Sequence, residues 1–263
     1  MSADEILSKT IERAKEVAER NPEGRLHFDY LSVSHELNDQ DEVKKEETKL
    51  YRNIPVEGIP FQRLVEKDGE PLDGGDLEDE QEREEEFRRK VAQGKDPREE
   101  NENRMEFDEE LTGRYHFALD GQESLDGYDC WILSFRPREG DLPNKRRIDA
   151  ALNKSIGKLW VAKSNYEIVR AQFELTDPVR LWWGLIGKIG QLEGRVDRRP
   201  VKDGLWMPQR FDLFLKGRIF FSGLHRRQQV EWSNFEYAES EREAPAEDAA
   251  PAESAPDESS TSR

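Results

Sequence analysis

From Arg114 to Tyr237 apolar side chains return at every second position, interrupted by Asp-Gly pairs. Only antiparallel strands satisfy that beat over so many consecutive segments. Tyr115, Phe117 and Leu119 alternate with polar residues, and Trp131, Leu133 and Phe135 share one face of the next segment. Residues 157–161 and 167–175 pair as a hairpin across Lys163-Ser164-Asn165, which puts Val169, Ala171, Phe173 and Leu175 on one side. Further strands are expected over 189–197, 205–216, 218–224 and 228–237. Upstream, Leu26, Phe28 and Tyr30 alternate, and 43–54 reads as a charged edge or curved strand. Asp68-Gly69, Asp120-Gly121, Asp126-Gly127 and Asp203-Gly204 read as turns, because such pairs accept positive φ. Residues 4–20 break the beat: Ile6, Leu7, Ile11, Ala14, Val17 and Ala18 recur at helical spacing, and Asn21-Pro22-Glu23-Gly24 ends the helix.

Charge divides the 263 residues unevenly. The formal net charge is −17, yet 76–110 hold 16 acids against 7 bases and 236–263 hold 9 against 2, so the rest is close to neutral and contains all six tryptophans. The first block reads as an inserted helix with i,i+4 ion pairs, with disorder as the alternative. The second is an Ala/Pro/Glu/Ser tail without apolar periodicity, expected to be disordered. The expected organisation is therefore a single domain over 1–237, with the insertion inside it, and a tail over 238–263. An acidic balance argues against nucleic acid as a partner. No apolar run approaches the ~20 residues that cross a bilayer as a helix. Met1-Ser2-Ala3-Asp4-Glu5 is no signal peptide, which leaves a cytoplasmic protein or one whose leader has been removed.

Catalytic patterns are missing from the sequence. Cys130 is the only cysteine, so no internal disulfide forms, and its strand setting reads as packing. His27, His35, His116 and His225 do not pair at metal-ligand spacing, and no phosphate-cradling loop or nucleophile elbow occurs. Paired acids such as Glu84 and Glu85 lie in a charge run that reads as a solvated face. The reading is a non-enzyme without metal or cofactor.

The aromatic residues carry more information. Phe117, Trp131, Leu133, Phe135, Val161, Val169 and Phe173 are the candidate lining of an apolar cavity on the concave face of a curved sheet. The plainer reading is a core plugged by helix 4–20. Trp182, Trp183, Leu185 and Ile186 form the most apolar window and are the candidate cavity mouth, suited to a lid or a lipid boundary. Arg146-Arg147 and Arg195, Arg198, Arg199 and Lys202 make local basic spots that read as solvated charge.

A family resemblance follows from these strands. Gly127-Tyr128-Asp129-Cys130-Trp131-Ile132-Leu133-Ser134-Phe135-Arg136-Pro137 resembles the G-x-x-x-W/Y-x-L-x-F-x-P strand of the bacterial outer-membrane lipoprotein-sorting and lipoprotein-carrier-like (LolA/LolB-like) superfamily. Gly157-Lys158-Leu159-Trp160-Val161, Tyr166-Glu167-Ile168-Val169-Arg170 and Gly204-Leu205-Trp206-Met207-Pro208 are similar to the segments that follow in that order, and the run from Phe61 to Leu72 is similar to an upstream segment. The resemblance implies an α+β, mainly β fold: a curved antiparallel half-barrel sheet packed on an N-terminal helix. It also implies a periplasmic location with the leader removed, no cofactor, and acyl chains of lipids or lipoproteins as ligand. The acidic insertion and the tail depart from that pattern, and no family arginine maps onto a position here. Two functions follow as expectations: a monomeric binding or carrier protein with an apolar ligand, or an envelope interaction module that meets a protein through the acidic insertion or a sheet edge.

Overall fold

The computed structural model describes residues 1–100, 105–181, 187–220 and 222–238. Its centre is one antiparallel sheet of twelve strands that does not close on itself. The elements run α1 (Ala3–Glu19), α2 (Pro22–Arg25), β1 (Leu26–Leu37), β2 (Val43–Val56), β3 (Ile59–Lys67), β4 (Glu70–Pro71), α3 (Gly74–Ala92), a 3-10 turn (Pro97–Glu100) and α4 (Glu109–Thr112). Then follow β5 (Tyr115–Leu125), β6 (Tyr128–Pro137), α5 (Asp149–Leu152), β7 (Ser155–Ala162), β8 (Ile168–Leu175), β9 (Val179–Leu181), β10 (Gly187–Pro200), β11 (Trp206–Ile219) and β12 (Ser222–Tyr237). The strand order is β4-β3-β2-β1-β12-β11-β10-β8-β7-β6-β5, with β9 paired to β10. This is the mainly β, open half-barrel-type sheet with an N-terminal helix that the resemblance implies.

Local chemistry explains the element ends. Ser2 caps α1: its hydroxyl accepts from the Glu5 N–H at 3.2 Å while its own N–H donates to the Glu5 carboxylate at 2.7 Å. Asp68-Gly69, Asp126-Gly127 and Asp203-Gly204 take positive φ at both positions, as tight hairpin turns require. Asp120-Gly121 differs from its reading as a turn. It lies inside β5, where the register against β6 shifts between Leu119 and Gly121, so the glycine serves a bulge.

α1 buries Ile6, Thr10, Ile11 and Val17, and Ile6 packs with Leu133, Leu159 and Val161 of β6 and β7. A second cluster gathers Cys130, Trp160, Ala162, Val169 and Trp206, and a third joins Leu26, Phe28, Leu205 and Met207. α3 covers the sheet edge at β3. Phe87 packs on Phe61 at 4.9 Å, and Arg83 sits 4.4 Å over the same ring. The buried Glu80 accepts the Leu64 N–H at 2.9 Å, and Arg83 donates to the Gln62 carbonyl. Its outer face is laced by pairs such as Glu84–Arg88 at 2.7 Å. α3 is therefore a docked helix that answers the open edge of a sheet.

Candidate functional site: a groove across seven strands

Directly opposed residues of antiparallel strands share a face. The register therefore assembles one row across six strands: Phe117, Phe135, Gly157, Phe173, Gly194 and Leu213. From Phe135 onward large and small residues alternate along it. A Cβ on Gly157 would stand 2.5 Å from the Phe135 ring, and one on Gly194 would stand 2.1 Å from the Phe173 ring. Each phenyl ring thus occupies space that the neighbouring strand leaves by having no side chain.

A groove of about 1090 Å³ takes in this whole row and reaches Arg227 and Gln229 of β12. The rest of its lining comes from residues flanking the row on each strand, and these carry the polarity: Arg136, Lys158, Arg195 and Arg227 against Glu174, Glu193 and Asp212. Several are already engaged. Arg210 holds Asp212 at 2.8 and 3.0 Å and Gln229 donates to it at 2.9 Å; the hydrogen bonds from Arg210 first, then that from Gln229, keep the carboxyl below its ordinary pKa. Arg195 pairs with Asp197 at 2.7 Å, and Lys158 lies 3.5 Å from Asp120. Arg136 and Arg227 line the groove without an ion-pair partner among the described residues.

The sequence-derived lining residues separate into three groups. Phe117, Phe135 and Phe173 come together on the groove. Leu133 and Val161 are fully buried under Ile6 of α1, and Trp131 packs beside them, stacked on Tyr166 at 5.6 Å. Val169 belongs to the cluster with Cys130 and Trp160, because the β7–β8 register slips between Trp160 and Val161 and turns it away from Phe173. The helix thus plugs one stretch of the apolar face while another stretch stays open. Trp182, Trp183, Leu185 and Ile186, the candidate mouth, lie outside the described residues. The alternation alone did not reveal the charged lining, although the polar positions beside Phe135 and Phe173 were visible in it.

A smaller cavity of about 730 Å³ lies among α1, α3, residues 105–108 and the sheet, lined by Val17, Ala18, Phe61, Phe87, Trp206 and Met207. Arg198 of β10 lines it and donates at 3.1 Å to Glu167, which is almost wholly buried and also accepts from Arg13 of α1 at 2.8 Å. This pair of contacts ties the helix to the sheet. Burial draws Arg198 below its ordinary pKa even with Glu167 beside it. Arg199 pairs with Asp126 and Arg146 with Asp149, so most of the basic spots seen in the sequence are internally matched.

The described residues offer little chemistry beyond binding. No three His, Cys, Asp or Glu side chains among them group to hold a metal. Burial, then the nearby Asp129 and Glu123, push the Cys130 thiol up to about 11, which keeps it protonated and a poor nucleophile. No helix among them is long and apolar enough to cross a membrane.

No family model and no curated protein matches the chain. Among solved structures, a domain described as outer membrane lipoprotein-sorting, from Vibrio parahaemolyticus, is 13% identical over 89% of this chain and 94% of its own, with a TM-score of 0.41. A LolA superfamily protein from Nitrosomonas europaea is 14% identical over 90% and 94%, with a TM-score of 0.37. A DUF1329 family protein from Desulfovibrio piger is 12% identical over 88% and 92%, with a TM-score of 0.34.

Proposed function

We propose that the protein is a non-enzymatic periplasmic binding or carrier protein that holds an acyl chain in the groove across β5 to β12. The observation that carries this reading is the row of Phe117, Phe135 and Phe173, brought onto one open groove large enough for a ligand of lipid size. The charged flank refines the ligand. An acyl chain would lie along the phenyl rings, and an anionic head would meet Arg136 and Arg227, which have no carboxylate partner among the described residues. Binding and release then need no covalent step. A second reading, a protein-interaction module, is favoured by β5, eleven residues long, which ends the sheet with no further strand paired to it among the described residues.

Native mass spectrometry of the purified chain, with organic extraction of any adduct, tests the first reading. Fluorescent fatty-acid titration supplies the affinity. Phe173→Ser removes roughly 2 kcal/mol of apolar contact, so uptake should weaken about 30-fold while the circular dichroism stays native. An apo mass together with no saturable fatty-acid binding would remove the carrier reading and leave the β5 edge in its place.

A further inference from the structure

Strands β9, β10 and β11 carry, at one end, a charge opposite to that of the chain. Residues 178–192 and 213–230 contain no aspartate or glutamate, yet hold Arg180, Lys188, Lys216, Arg218, Arg226 and Arg227, in a protein whose net charge is −17. Register places both stretches together. Arg180 of β9 stands opposite Lys188 of β10, which stands opposite Arg218 of β11. Three cations therefore lie side by side on one face of three adjacent strands, about 10 Å from first to last. All three are exposed, and none of their side chains has a hydrogen bond or ion pair among the described residues. Like charges directly opposed across strands disfavour the fold, so folding stability does not account for this row.

Two further features point outward. Phe220, in the turn that joins β11 to β12, is 62% exposed and holds a positive φ of 51°. Beneath it β10 and β11 approach closely: a Cβ on Gly187 would stand 2.4 Å from the Arg218 carbonyl, and one on Gly217 would stand 2.4 Å from the Lys188 carbonyl. The two glycines hold the strands together where the cations project. Asp41, between β1 and β2, meets Lys216 at 3.5 Å and His225 at 3.0 Å, and Glu36 stands opposite Arg226, so the carboxylates at this end face β11 and β12 and leave Arg180, Lys188 and Arg218 unmatched. β12 runs from Ser222 at this end to Tyr237, a span of about 50 Å, and the acidic tail begins beyond Ala238, whose N–H donates to the Arg25 carbonyl at 2.9 Å.

We propose that this end docks onto an anionic lipid bilayer, with Arg180, Lys188 and Arg218 against the headgroups and Phe220 at the acyl boundary. An exposed aromatic ring beside unpaired cations is the arrangement that suits such an interface. A soluble polyanion would use the cations but gain nothing from the ring. The proposal is independent of the groove.

The test is co-sedimentation of the full chain with vesicles of phosphatidylcholine alone or mixed with phosphatidylglycerol. The protein should bind the mixed vesicles, bind less as salt rises, and ignore phosphatidylcholine. Each cation at such a surface contributes roughly fivefold to partitioning, so the triple variant R180Q/K188Q/R218Q should lose about 100-fold, and F220S should remove the binding that persists at high salt. Thermal unfolding of the triple variant should match or exceed that of the parent, since a repulsive row is relieved. No binding to mixed vesicles, or unchanged binding by the folded triple variant, overturns the proposal. Competition by inorganic polyphosphate combined with an inert F220S also overturns it, in favour of a soluble polyanionic partner.

Discussion

Arg114 and Asp149 show how a single pair of charges can hold a long connection in place. Each is only 1% exposed, and Arg114 donates to Asp149 at 3.0 Å, to Asn153 at 2.9 Å and to the Pro143 carbonyl at 2.8 Å. The pair pins the segment between β6 and β7 onto the start of β5. Burial alone would raise the Asp149 pKa. The backbone N–H groups of Arg146 and Lys145, the Arg146 side chain and the Arg114 charge outweigh it and keep the carboxyl ionised below its ordinary range. A carboxyl depressed in the folded state binds its proton more readily when unfolded, so its contribution is complete above pH ~4 and fades as pH falls through the folded value. Asp149→Asn strands a buried guanidinium and should cost about 3–5 kcal/mol at neutral pH. Urea unfolding at a series of pH values checks this: parent and variant should converge in acid, and a gap independent of pH would contradict the assignment.

At the scale of elements, α3 stands out because its role lies in what it covers. Glu80 satisfies the Leu64 N–H and holds Arg83 against the Gln62 carbonyl, so this one side chain closes part of the β3 edge. Glu80→Ala should cost roughly 1–3 kcal/mol by leaving that N–H unmet, and it should raise the concentration-dependent dimer fraction in size-exclusion chromatography as the edge becomes available. A destabilised variant that stays monomeric would confine Glu80 to stability. Nothing in the Glu/Arg run distinguishes Glu80 from its neighbours, because sequence shows a charged helix but not which acid faces a backbone amide. The elements themselves were legible: the 3.6-residue beat of Ile6, Ile11 and Val17 gives α1, and the two-residue beat with Asp-Gly pairs gives most strands. What escaped depends on register. Asp120-Gly121 looks like a turn until a bulge places it within β5, and one slip between Trp160 and Val161 moves Val169 to another cluster. The basic row is hidden for the same reason, since Arg180, Lys188 and Arg218 lie far apart along the chain and meet only across β9, β10 and β11.

Across the whole molecule, hydrogen-bonded strands run without a break from β4 to β5, so the stretch packed under α1 and the stretch that lines the groove belong to one sheet. Phe135 illustrates the coupling. It lies against Gly157 on the groove row, packs beside the Ile6 cluster, and contacts Tyr115 at 5.0 Å, whose hydroxyl donates to the Leu152 carbonyl at 2.8 Å. A ligand on the phenyl row therefore bears on side chains that also belong to the core. Ligand present at a hundredfold above its Kd stabilises the folded state by about 2.7 kcal/mol, which for a chain of this size corresponds to roughly 5–10 °C in Tm. If residues 1–237 fold as one unit, calorimetry with a saturating fatty acid should show a single transition displaced by that amount. Two transitions, with only one displaced, would mean that the groove strands unfold apart from the sheet around β1 to β3. In that case the apparent unity of the sheet would describe its hydrogen bonding and not its cooperativity.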